Sequence, residues 1–224
     1  MADLLELGAQ VQQAFLRAAA LVTRPTVVQQ RYLTENHRQV VGKRAGIEAT
    51  GLTLLSQPNL SAQTIRRVAC AIEIAAELER ITYLLGRLVR TPLLTYEDTA
   101  DKVSAATRVS IENAATAIDR VLAVLAEAER ALPSGAAPTS ERVAAQFALA
   151  YAWAVDDAGA ALARPFLRRQ AMSLAQSHRE IAACLANLTQ WTAFWLQPDG
   201  ADALPIAPEG HGLSNNPDDK DNEQ

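Results

Sequence analysis

The chain has 224 residues, 49% of them hydrophobic and only 5% aromatic. That is enough apolar material for one large domain or two small ones, and the Ala-rich, Gly- and aromatic-poor balance is that of long helices. Of the net charge of −4, the segment from Asp199 onward carries −6 and residues 1–196 carry +2; no Lys/Arg run interleaved with aromatics is present to neutralise phosphates, so nucleic acid is not an expected partner.

The start, MADLLELGAQ, lacks a basic n-region and a cleavable apolar core, so no signal peptide is expected. The longest nearly apolar stretch, Val143 to Val155, is too short to span a bilayer. These features predict a cytoplasmic, soluble protein. Cys70 and Cys184 make no metal-ligand spacing and are expected to be reduced, buried side chains.

Six helices are predicted in chain order. The first covers Asp3 to Thr23 and stops at Arg24-Pro25; the second covers Pro25 to Ser56, with Leu33, Val40, Ile47 and Leu54 recurring every seven residues until Gln57-Pro58 ends it. Ser61 is placed to cap the third helix by accepting a hydrogen bond from a free first-turn N–H. In that helix Ile74, Leu78, Ile81, Leu85 and Leu88 fall on one stripe at 4-3-4-3 spacing, the seam of a helix packed on other helices.

Pro92 closes the third helix and Thr95 caps the fourth, whose seam is Ile111, Ala115, Ile118, Leu122 and Leu125. The loop PSGAAP at 133–138 precedes a fifth helix over roughly 139–163, and Arg164-Pro165 leads into a sixth that runs to Gln197. No stretch alternates with period two for long enough to be a strand. The remaining segment, 198–224, has four prolines and little apolar surface; it is predicted to be a disordered acidic tail that tunes association electrostatically.

The helices fall into two sets of three. TIRRVA at 64–69 is similar to FLRRQA at 166–171, and the spacing I-x-x-x-L-x-x-L occurs at 81–88 and again at 181–188. The expected fold is therefore all-α, two tandem three-helix bundles, with units at 1–92 and 93–197 and the tail at 198–224.

Chemistry that needs a histidine has three candidates. His37 in NHRQVV and His178 in SHREIA are expected on polar helix flanks, solvent-facing or capping, and His211 lies in the tail. A di-iron carboxylate bundle would need Glu-x-x-His on two helices, which this chain lacks. No glycine-rich loop follows a strand. A non-enzymatic protein is expected.

Three acids in the third helix stand out from its buried design. On a wheel of about 100° per residue, Glu77 lies near the seam, Glu73 at its edge, and Glu79 on the other side in line with Ile72 and Tyr83. One reading places Glu73 and Glu77 in a solvated groove or pairs them with Arg80 and neighbouring residues at i, i+3 or i, i+4, each pair contributing a few tenths of a kcal/mol. The other is a charged partner-binding face comprising Arg66, Arg67, Glu73, Glu77, Glu79 and Arg80. Asp156-Asp157, which interrupts the fifth helix, is read as a solvated edge because adjacent residues point about 100° apart.

The stretch LSAQTIRRVACAIEIAAELERI, 60–81, resembles the third helix of PhoU-type proteins, in which a Leu-Arg pair near the start leads to Leu-Glu-Arg-Ile-Gly-Asp. Ile65-Arg66 match the pair, and Leu78-Glu79-Arg80-Ile81 match the motif. IEATGLTLLSQPNLS, 47–61, is similar to that family's helix-two ending. The specific likeness is confined to 47–81; the second half matches mainly in helix spacing.

The resemblance implies a cytoplasmic adaptor, commonly a homodimer, that modulates phosphate uptake and phosphate-starvation signalling by binding the ATPase of a phosphate ABC transporter and/or a sensor histidine kinase. Many members hold metal clusters on a Glu and an Asp four residues apart, because hard oxygen donors at i and i+4 converge on a cation. Here Tyr83 replaces that Asp, and the corresponding stretch HREIAAC, 178–184, has lost the acidic pair. No metal or other cofactor is therefore expected, beyond at most a weak site at Glu79. Two other classes remain open: a carboxylate-bundle metal protein, and a structural dimerisation module that kept the fold without the phosphate role.

Overall fold

The computed structural model describes residues 1–21, 27–90, 97–131 and 165–197. These form five α-helices: α1 (Ala2–Leu21), α2 (Val27–Leu55), α3 (Ala62–Arg90), α4 (Glu97–Ala131) and α5 (Pro165–Trp195). The described part is all-helical. The predicted fifth helix, with Asp156-Asp157, as well as the Thr95 cap and the acidic tail, fall outside the described residues; α5 is the helix predicted as the sixth.

Local chemistry sets the ends as expected. The backbone N–H of Thr64 donates to Ser61 Oγ at 3.1 Å, and Ile65 N–H donates to the Ser61 carbonyl at 3.1 Å, so Ser61 is the N-cap of α3. At the end of α2 the chain turns through Gln57-Pro58, and Asn59 takes a left-handed conformation with φ of 62°, which asparagine tolerates better than most residues.

Which faces are buried follows from the apolar spacing. Ile74, Leu78, Ile81, Leu85 and Leu88 of α3 are all buried, as are Ile111, Ala115, Ile118 and Leu125 of α4. Leu33, Val40 and Ile47 seal the heptad row of α2, but Leu54, at the row's end, is 38% exposed. The repeated spacing in α3 and α5 also has a physical counterpart: Ile81, Leu85 and Leu88 on one, Ile181, Leu185 and Leu188 on the other, all lie in the core.

The packing forms a ring. α1 lies against α3 and α4, α5 lies against α3 and α4, and the diagonal pairs do not approach; α2 sits outside the ring in the groove between α1 and α3. A single apolar core runs through all five helices. No described helix is long and apolar enough to cross a membrane.

Two glycines allow the closest approaches. A Cβ on Gly8 of α1 would stand 2.2 Å from a Leu122 methyl on α4, and one on Gly51 of α2 would stand 2.9 Å from Ile72 Cδ1 on α3. Three core threonines need no partner from another helix: Thr82, Thr189 and Thr192 donate to the carbonyls four residues back, Leu78, Leu185 and Leu188. That satisfies the buried hydroxyl within its own turn.

Gly46, in contrast, is exposed with open space around its Cα. Gly8→Ala is expected to destabilise the fold by about 1–2 kcal/mol, overpacking exceeding the gain in helix propensity. Gly46→Ala should stabilise it by about 0.5–1 kcal/mol. Urea denaturation of both variants beside the parent chain measures the difference in sign.

Candidate partner-binding face

The charged residues of α3 are divided by the geometry of the ring. At about 100° per residue, Arg66, Glu73, Glu77, Arg80 and Arg87 share an arc of about 80°, while Glu79 lies about 200° from Glu77. The first group edges the groove with α5. Glu79 edges the groove with α2.

Along the α5 edge the helices run antiparallel and meet through polar pairs. The Arg66 guanidinium lies over the Phe194 ring at 5.9 Å. Asn187 Nδ2 donates to Glu77 Oε1 at 2.8 Å, and the Cys184 thiol hydrogen-bonds to the same carboxylate. Arg87 closes the row, with NH1 3.2 Å from Glu180 Oε2 and Nε donating to Ser177 Oγ at 3.3 Å. Glu73 and Arg80 are the exposed members of this row.

Glu77 is thus a half-buried interhelical acceptor. Among the described residues no ion pair joins Glu77 to Arg80, three positions on; the carboxylate of Glu77 instead accepts from Asn187 of α5. Glu77 leans over the groove, where the Asn187 amide stands 2.8 Å from Oε1. Its second oxygen, Oε2, is buried without a hydrogen-bond partner among the protein atoms, as is Asn187 Oδ1.

On the α2 edge, Glu79 faces Arg44 at 3.5 Å, and Arg44 also pairs with Glu48 at 2.9 Å. Tyr83 is 50% exposed and tilts against the His37 ring with centroids 5.9 Å apart. Tyr83 and His37 line a small hollow of about 50 Å³ with Gln30, Thr34 and Arg90; Glu79 and Arg44 are not on its wall. Arg67 belongs to neither edge; it points toward the end of the bundle. The six candidate residues therefore do not form one patch: Arg66, Glu73, Glu77 and Arg80 cluster, Glu79 and Arg67 stand apart.

His178 departs from its expected solvent-facing place. Its Nδ1 and Ser110 Oγ of α4 lie 2.9 Å apart, and burial lowers its pKa from 6.5 to about 4. Burial also pushes the thiols of Cys70 and Cys184 up to about 12, the Glu77 carboxylate adding to the effect on Cys184. Both cysteines are free and buried, as expected, and the thiolate needed for nucleophilic chemistry is disfavoured at both.

A metal has little to hold it here. Among the described residues no three His, Cys, Asp or Glu side chains gather, and the Glu79 carboxylate already faces a guanidinium. A divalent cation at Glu79 would meet one anionic ligand, a neutral phenol and the positive charge of Arg44, a set that does not fit the oxygen-rich sites such ions need.

Asn187, Cys184, Arg87, Glu180, Arg44 and Ser110 had no local sequence signal, because each acquires its role from a residue on another helix. No protein-family model matches the chain, and no curated protein is similar enough in sequence to be a relative.

The low pKa of His178 has a pH signature. Unfolded, the imidazole takes a proton near 6.5, whereas folded it resists until about 4. The unfolded chain then binds more protons between those values, so stability falls as pH drops through this window. Between pH 7.5 and 5 the loss from this residue is expected to be about 2 kcal/mol. Thermal unfolding of the parent and of His178→Gln at both pH values should show the variant losing less.

Proposed function

We propose that the protein is a non-enzymatic, PhoU-like regulatory adaptor that binds a transporter ATPase and/or a sensor histidine kinase and so modulates phosphate uptake and signalling. The reading rests on the likeness of residues 47–81 to that family. One structural observation supports it: the segment with the likeness spans the end of α2 and most of α3, the latter a helix on which three others pack, and the exposed Glu73 and Arg80 stand on the outer edge of α3. A partner gripping this edge would contact the helix that joins both halves of the ring.

In this reading the ring is the junction of two three-helix units, 1–92 and 93–197. α1 and α3 correspond to α4 and α5, and residues 139–163 correspond to α2. The protein acts as a homodimer in the cytoplasm and biases its partners' states by binding one state more tightly; its effect is bounded by that difference in affinity. The family's metal site is lost, Arg44 supplying at Glu79 the positive charge that a cation would bring.

Two measurements test the proposal. The tagged protein should retain a transporter ATPase or a histidine kinase, identified by mass spectrometry, and Glu73→Lys with Arg80→Glu should cut that retention at least tenfold. Both positions are exposed, so stability should stay within about 0.5 kcal/mol of the parent. Recovery of neither class of partner refutes the adaptor reading. Separately, elemental analysis after incubation with iron or zinc should find no stoichiometric metal.

A further inference from the structure

At the end of the bundle where α1 begins and α5 finishes there is a cleft of about 140 Å³. Leu4, Ile47, Leu54, Val68, Ala71 and Trp195 wall it, and Arg67 lies among them. Pockets that enclose small-molecule ligands span roughly 300–1,000 Å³. This one is sized for an anchoring aliphatic side chain or two.

The cleft is apolar but not neutral in its demands. Arg67 Nε is buried and makes no hydrogen bond, and Arg67 has no carboxylate at salt-bridge distance among the described residues. Asp3 is the other charged side chain on the lining, and it is exposed. The occupant that fits is a short segment with aliphatic side chains and acidic groups close by.

Such a segment begins beside the cleft. Trp195 is part of the wall, and two residues later the chain continues as PDGADALPI, 198–206. Leu204 and Ile206, two apart, share a face when the backbone is extended, and Asp199 and Asp202 precede them. Nine residues reach about 30 Å at roughly 3.3 Å each, and so short a closure gives an effective concentration on the order of millimolar. The charge balance, −6 from Asp199 onward against +2 on residues 1–196, has the right sign.

We infer that this cleft is a docking groove for the chain's own residues 198–206, with Leu204 and Ile206 covering the apolar wall at Leu54 and Trp195 and the aspartates set against Arg67. Docking covers the one open end of the α2 heptad row. It also makes the groove a competed site, since a partner segment of the same chemistry must displace the tail.

Disulfide trapping in the full chain tests this. Thr50 lines the cleft and is exposed, and the two native cysteines are buried. Thr50→Cys with Ile206→Cys should form an intramolecular disulfide under mild oxidation at least tenfold faster than Thr50→Cys with Asn222→Cys. Adding Leu204→Asp to the first pair should slow it about tenfold, with no change to any residue of the five described helices. Equal rates for positions 206 and 222, no effect of Leu204→Asp, or no disulfide in either pair would overturn the inference. Disulfides formed between chains in place of those within one would assign the groove to a second copy.

Discussion

The width of the apolar face of α3 is the constraint from which the rest of the architecture follows. Its buried positions, from Leu84 round to Val68, cover about 200° of the helix circumference. One neighbouring helix covers far less than that. α3 must therefore be packed by α1, α2 and α5 together, and it becomes the element where contacts from both ends of the chain converge. Charged residues at either edge of so wide an arc necessarily fall in different grooves, which is why Glu77 meets α5 and Glu79 meets α2.

The remaining helices settle around that demand according to how much each can bury. α2 offers a single row, Leu33, Val40 and Ile47, and takes an outer position. α1 offers a broader face of Leu4, Leu7, Val11, Phe15 and small alanines, and can pack against three partners. Gly8 and Gly51 bring backbones close where a side chain would intrude. Polar pairs such as Gln12 with Asp119, at 2.9 Å, and Lys43 with Glu6 edge the grooves. Exposed pairs of this kind contribute little to stability, and their effect is to favour one register over others.

The hydroxyls of Thr82, Thr189 and Thr192 return to their own helix, whereas Ser177 Oγ accepts from Arg87 of α3 and His178 is kept neutral beside Ser110. Glu77 and Asn187 each keep one buried acceptor oxygen without a protein donor, an arrangement that costs free energy unless something else satisfies it. Stability comes from the apolar seams, and the charged edges of α3 and the cleft at Arg67 lie outside them.

Much of the fold was legible because helices are local objects. The 4-3-4-3 seams of α3 and α4, the Ser61 cap and the stop at Gln57-Pro58 each depend on residues within one or two turns, so their spacing alone determined them. The Leu33 row was read correctly to Ile47 but not at Leu54, since whether a row's last member is covered depends on what stands beside it. The candidate site was legible only in part: the wheel separated Glu77 from Glu79, but Asn187, Cys184 and Arg44 are 110, 107 and 35 positions away from those glutamates. Sequence by itself determined the five described helices and most of their buried stripes. Tertiary structure alone decided which charges meet, that His178 sits half-buried against Ser110 and that Arg67 stands in a cleft, because those outcomes depend on how whole helices align across distances no local pattern encodes.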